Sequence, residues 1–538
     1  MQSEPSGLRD FTVDQRVWLL SGVAAGIGLC ATMLAVLLLR CIAFSTNVFY
    51  YHRFSAASVS PSGSPLGHWM VVVPVVGGLL VGLLARFGSD KIRGHGIPEA
   101  IEAILLHRAK VDPKIAVLKP VSAAIAIGSG GPFGAEGPII MTGGAFGSLI
   151  GQWMHVTDAE RTTLLVAGAA AGMSATFATP VAAILLAVEL LLFEWRPRSL
   201  VPVAIASATA GLFRAYWLGS GPLFEMPTLG GTHAVSFAIG ALFLGAFLGI
   251  VAAAMSRMMY AFEDLFEHLP IHWMWWPAIG GLGIGIGGLF FPRGLGVGYD
   301  NIAELLHGSA PLKLIVGILI AKSLMWAFSL GSGTSGGVLA PLLMIGGAVG
   351  ALAGHVAHAP YEAQAFWALI GMGAMLSGSL GVPLTAILFS LEVTHCLPAL
   401  LPLTVACIAS YLVTALLMPR SILTEKLNRR GYHLTREYGI DPLELVLVRE
   451  TMSPLAANAP KTPRPAFYAY ADATTRGAAE IMATEGLETM PVVDRETGLI
   501  CGELSLKDLL RGRNRSLERE NERLRLFGYT APVRRERA

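Results

Sequence analysis

The sequence predicts an all-α polytopic membrane protein, built from two repeats of broken helices and followed by a small soluble α/β domain. Three observations carry this. Of the 538 residues, 53% are hydrophobic and only 14% are Asp, Glu, Lys or Arg, about half the charge of a soluble globular protein. The charge falls in two blocks: residues 1–448 hold 48 of the 76 charged side chains, and 449–538 hold the other 28. A domain boundary near 449 follows. The chain also repeats itself at an offset of 203, with 12 of 24 positions identical between 128–151 and 331–354.

This composition leaves too much apolar surface for a disordered chain and too many long apolar runs for a cytosolic enzyme. The 62 glycines follow no fixed period, which excludes a collagen-like chain. A net charge of +2 points to no nucleic-acid partner. Cys30, Cys41, Cys396, Cys407 and Cys501 form no CxxC pair, so neither a disulfide frame nor a metal site is expected.

Residues 1–15 are polar and lack the features of a signal peptide. The apolar run 17–43 is long enough to be a retained transmembrane helix. Eleven further apolar segments lie between 68 and 418, many of them broken by Gly or Pro. Non-helical backbone at membrane depth survives only around protein or a water-filled cavity, so broken spans favour a transporter or channel. The repeat also matches Lys119 to Lys322, Pro180 to Pro383 and Glu189 to Glu392. Its two copies are read as about 90–195 and 293–418, within a transmembrane domain of 16–435. Their interface is the expected place for a site.

Three Gly-rich segments open apolar stretches. They are Gly94-His95-Gly96-Ile97-Pro98-Glu99, Gly134-Ala135-Glu136-Gly137-Pro138 and Gly336-Gly337-Val338-Leu339-Ala340-Pro341. Pro suits a first helical turn, where the backbone N–H has no partner anyway. Free N–H groups and the positive dipole end then make each start an anion site. Glu136 stands out. An ionisable side chain between apolar runs marks function by default, and its repeat mate is Leu339, so the fold does not require a carboxylate there. It is either an exposed helix cap or a tethered anion that leaves when protonated or displaced.

These motifs resemble the three signature segments of the CLC family of chloride channels and chloride/proton exchangers, which run roughly GSGIP, GxEGP and GxFxP in that order. The resemblance covers nearly all of 15–435. It implies two inverted, antiparallel halves of tilted helices and a homodimer with one chloride pore per subunit. It implies gating by Glu136 and anion contacts at His95, Gly96, Ile97, Gly137, Val338 and Leu339. An integral inner-membrane location, with the C-terminal domain in the cytoplasm, is expected.

The departures matter too. His95 stands where the family usually carries Ser, and either lines the pore or turns into a polar pocket. Leu339 replaces the family's Phe. Ser421-Ile422-Leu423-Thr424-Glu425-Lys426-Leu427 has Leu423 where a pore Tyr is usual. Many exchangers have two adjacent glutamates after a helix proline, the second carrying protons. Here Pro180 leads to Glu189 and then Leu190. Glu189 is the candidate inner proton relay, although its mate Glu392 favours a structural role.

Residues 449–510 resemble one CBS module, a βαββα unit, which implies pairing across a dimer. Gly502, Ser505 and Asp508 match its ribose-phosphate motif, so an adenine nucleotide is the one candidate ligand beside the transported anion; no other cofactor is expected. Residues 511–538 read as a charged helix and tail. The expected function is channel-like or weakly coupled chloride transport, with proton-coupled antiport as the alternative. An intramembrane serine hydrolase using Ser129 or Ser332 with His355 is the remote one, since nucleophilic catalysis needs a base within reach.

Overall fold

The computed structural model describes residues 15–227, 234–432, 443, 446–454 and 467–523, with only the helical backbone for 234–236 and 515–523. Most of the polar N-terminal segment and the end of the charged tail lie outside these residues. The chain forms two compact units that divide at residue 434.

In the first unit, α1 (Arg16–Tyr51) and α2 (Val72–Phe87) lead to the short α3 (Ile97–Leu106). Then come α4 (Pro113–Gly128), α5 (Glu136–Trp153), α6 (Asp158–Phe177), α7 (Pro180–Leu186) and α8 (Pro197–Leu218). After α9 (Ala234–Glu267) follow α10 (Trp276–Phe290), α11 (Tyr299–Leu306), α12 (Leu312–Gly317) and α13 (Ser323–Gly331). The unit closes with α14 (Leu339–Val356), α15 (Tyr361–Leu380), α16 (Pro383–Thr394), α17 (Leu400–Leu417) and α18 (Ile422–Arg429). A π turn, Ile318–Lys322, joins α12 to α13. Among the described residues, eight helical segments are long and apolar enough to cross a membrane.

The repeat is visible as geometry. Helices α5 and α14, and α6 and α15, begin and end 203 residues apart. Helix α5 packs on α6, and α14 on α15, through glycine, because a Cβ on Gly143 would stand 2.3 Å from the Gly168 carbonyl and one on the mate Gly346 2.4 Å from that of Gly371. Small residues at such crossings let helix backbones approach within a membrane. Gly134 pairs with its own mate Gly337 in an isolated antiparallel bridge. Their N–H groups donate reciprocally, at 3.2 and 2.8 Å. A residue bonded symmetrically to its own mate places a two-fold relation between the halves.

Glu189 and Glu392 obey the same relation. Glu189 on the π turn after α7 accepts from the N–H groups of Leu384 and Thr385 at 3.1 and 2.8 Å, and from the Thr385 hydroxyl at 2.6 Å. Glu392 on α16 accepts from Val181 and Ala182 at 3.0 and 2.8 Å. Each carboxylate caps the helix that carries the other, which satisfies first-turn amides and places a negative charge at a positive dipole end.

The second unit is small. β1 (Ser453–Pro454), β2 (Ala469–Tyr470), β3 (Thr489–Val493) and β4 (Ile500–Ser505) form one sheet in the order β1-β4-β3-β2. β2 and β3 are parallel and the other pairs antiparallel. The short helix α19 (Val448–Thr451) precedes β1, α20 (Thr475–Glu485) connects β2 to β3, and α21 (Leu506–Arg523) follows β4. Its core is Ala478, Met482, Met490, Val492 and Leu504.

The reciprocal caps make a stability prediction. Glu189→Ala and Glu392→Ala should each lower stability by about 1–2 kcal/mol, the value of a helix N-cap. Thermal unfolding in detergent measures this, and unchanged midpoints in both variants would show the caps to be idle.

Candidate functional site

The three Gly-rich loops meet one another. Besides the Gly134–Gly337 bridge, Gly94 N–H donates to Thr334 at 3.1 Å and Gly336 N–H donates to Gly94 at 3.4 Å. The closest approach to another backbone atom is at Gly137, where a Cβ would stand 1.8 Å from the His95 carbonyl oxygen. Gly96 has a φ of +90°, a conformation that favours glycine.

One buried lysine fastens the first of these loops, and its repeat mate fastens the segment that leads into α11. Lys119 on α4 is fully buried, and its ammonium donates to the carbonyls of Ile92 and Gly94 at 2.8 and 2.7 Å. Its mate Lys322, also fully buried, donates to Gly296 and Val297 at 3.0 and 3.1 Å. Turning carbonyls toward a cation answers the need of a buried ammonium for partners.

Glu136, the first residue of α5, has no exposed surface. Its Oε1 accepts a hydrogen bond from the N–H of Ala340, the second residue of α14. Its Oε2 has no partner. The carboxylate therefore sits on the positive end of a helix from the other repeat, and it is no exposed cap of its own helix. Ala340 is the mate of Gly137, and Leu339 that of Glu136.

His95 is 2% exposed, and neither ring nitrogen has a hydrogen-bond partner. It lines a cavity of about 350 Å³ that Arg93, Glu263, Trp273, Trp276 and Lys426 also touch. Arg93 stacks over Trp273 and Trp276, 4.7 and 5.6 Å from the ring centroids. Sequence reasoning missed Arg93, because its aromatic partners lie about 180 residues away.

The Gly96 N–H donates to Glu99 Oε2 at 2.9 Å, so that amide is already occupied. Ile97, Val338 and Leu339 are buried at the two helix starts. Leu190 and Leu423 are fully buried, and neither carries a hydroxyl or carboxylate. Ser129 and Ser332 donate to the carbonyls of Ala126 and Ser329, at 3.1 and 2.6 Å. They bond backbone at the ends of α4 and α13, while His355 lies exposed in the last turn of α14. In the C-terminal unit, Asp508 Oδ2 accepts from the Ser505 N–H and hydroxyl at 3.0 and 2.7 Å. That pair caps α21.

Paired helical repeats meeting at buried glycine-rich helix starts are the fold of an integral multi-pass anion-transport protein of the CLC type. Residues 76–415 match the voltage gated chloride channel family, and the chain belongs to that family. It is 31% identical over 359 residues to the H+/Cl− exchange transporter ClcA of Citrobacter koseri, covering 62% of this chain and 74% of that protein. It is 30% identical over 356 residues to a ClcB-like chloride channel protein of Ralstonia nicotianae, covering 64% and 82%. Its fold is similar to that of a slow cyanobacterial Cl−/H+ antiporter, with a TM-score of 0.69 and 22% identity, covering 78% of this chain and 99% of that one.

The loop contacts predict an all-or-none response at one glycine. Gly137→Ala should abolish anion flux and lower the yield of monodisperse protein, since overpacking of this kind costs about 1–3 kcal/mol or more. Gly26→Ala, where a Cβ meets nothing within 4 Å, should be silent. Size-exclusion profiles and liposome flux report both.

Proposed function

We propose that the chain carries chloride or a similarly small anion past Glu136, in a channel-like or weakly coupled manner, with Glu136 as the gate. The observation that supports it most is the seat of the carboxylate: a buried, tethered anion on the Ala340 amide of the other repeat. A free anion competes for that amide on the same electrostatic terms. On this reading Glu136 leaves when protonated or displaced. His95, Ile97, Gly137, Val338 and Leu339 line the path. Gly96 contributes by letting the loop turn, since its amide is held by Glu99.

Weak coupling is favoured by Leu190, which holds no proton, and by Glu189, whose carboxylate is engaged in the α16 cap. Proton-coupled antiport is the second reading, favoured by relatives named as exchangers. One experiment addresses both. Under an imposed chloride gradient, wild-type proteoliposomes should show chloride flux with little uphill proton movement. Glu136→Ala should keep chloride flux and lose its pH dependence. Stoichiometric proton pumping by the wild type would overturn the channel-like reading, and loss of flux in a folded Glu136→Ala variant would overturn the gate.

We also propose that the C-terminal unit is a single CBS-like module on the cytoplasmic face of an inner-membrane homodimer. The βαββα order of its elements supports the module. An adenine nucleotide at Gly502, Ser505 and Asp508 would have to open the Ser505–Asp508 cap. Light scattering in detergent should give a dimer mass, and AMP or ATP titrated against the full chain should give no binding heat while the cap holds.

A further inference from the structure

The two loops that the buried lysines fasten present different side chains. The loop held by Lys119 presents His95. The loop held by Lys322 presents Tyr299, the first residue of α11 and the repeat mate of Gly96. The Tyr299 ring is fixed edge-on by Phe177, at 6.4 Å between centroids and 88°, and by Phe224, at 6.1 Å and 61°. Its hydroxyl oxygen is buried and has no hydrogen-bond partner. The residue lines a second cavity, of about 520 Å³, together with Arg40, Arg214 and Asp300. Its helix α11 packs against α14, whose first turn seats the Glu136 carboxylate.

Glu136 Oε2 is likewise buried without a partner. One orphan is a donor and the other an acceptor. Leaving both unmade is expensive in a dry site, and such pairs ask for an explanation. A second position of the gate, in which they meet, supplies one. The phenol also restores to the pathway a hydroxyl of the kind that Leu423 lacks.

We propose that Tyr299 is the positioning residue that receives the Glu136 carboxylate when an anion takes its seat at Ala340. This rests on the gating role of Glu136. In the seated position Oε1 accepts from the Ala340 N–H. In the displaced position the carboxylate accepts from the Tyr299 O–H, and the incoming anion accepts from Ala340. The charges around Tyr299 suit a displaced carboxylate: Lys322 lies beneath the loop, Arg40 and Arg214 border the cavity, and Asp300 on α11 is the one acid among the cavity residues named above.

Tyr299→Phe removes the hydroxyl and keeps the ring contacts with Phe177 and Phe224. Chloride flux is measured in proteoliposomes for the wild type, Tyr299→Phe, Glu136→Ala and the double variant. The expected result is a fall of about tenfold in the wild-type background, the size of one hydrogen bond to a charged group. In the Glu136→Ala background the same substitution should change nothing, and full flux there shows that the phenylalanine variant folds. An equal fall in both backgrounds would mean that Tyr299 acts on the anion or on folding, and would overturn the proposal. So would unchanged flux in the wild-type background. Loss of flux in Glu136→Ala alone would remove the gate itself, a failure distinct from that of Tyr299.

Discussion

A backbone N–H that opens a helix inside a membrane has neither water nor an intrahelical carbonyl to bond. That constraint governs the centre of this protein. The glycine-rich loops bring helix starts from both repeats to one place and satisfy one another where they can, Gly134 with Gly337 and Gly336 with Gly94. The N–H of Ala340 at the start of α14 remains, and the Glu136 carboxylate takes it. The surroundings serve this contact. Gly137 has no Cβ because the His95 carbonyl occupies that space. Lys119 and Lys322 hold the loop carbonyls.

The repeat supplies the frame, and departures from the repeat supply the chemistry. Gly134 and Gly337, Lys119 and Lys322, and Glu189 and Glu392 are matched pairs, and each is engaged in backbone bonds that fix the fold. The mismatched pairs carry polar atoms left without partners. Glu136 faces a mate that is Leu339, His95 one that is Gly298, and Tyr299 one that is Gly96. Orphan nitrogens or oxygens occur on all three of these polar side chains. A buried group that the fold does not satisfy is one that a ligand or a second conformation can satisfy.

This division also decides what was legible in the sequence. Glycine before a helix, proline in its first turn and one carboxylate among apolar residues are local signals, so Glu136 and the three motifs could be read directly. The repeat register could be read because identical residues recur at one offset. The exchange of caps could not. Glu189 and Leu384 are 195 residues apart, and their shared offset shows that Glu189 and Glu392 are mates without showing that each caps the other's repeat. Tyr299 was invisible for the converse reason. Its mate is a glycine and it belongs to none of the three motifs; its place is set by Lys322 from the π turn and by Phe177 from α6.

The seat of Glu136 bears on coupling through electrostatics. A carboxylate and a chloride carry the same charge, so replacing one by the other at Ala340 leaves the charge at the helix start unchanged. The step moves like charges past each other in a low-dielectric site, where an uncompensated charge would be costly. A proton is needed only where the carboxylate must leave with no anion to succeed it. A chain that holds Leu190 at the usual relay position can therefore still pass anions by displacement, provided the departing carboxylate finds a donor. On the proposed second position of the gate, the phenol of Tyr299, in a cavity that Arg40, Arg214 and Asp300 also line, is that donor. On that proposal the gate requires no inner carboxylate, and the Glu189 carboxylate serves the α16 cap that joins the two repeats.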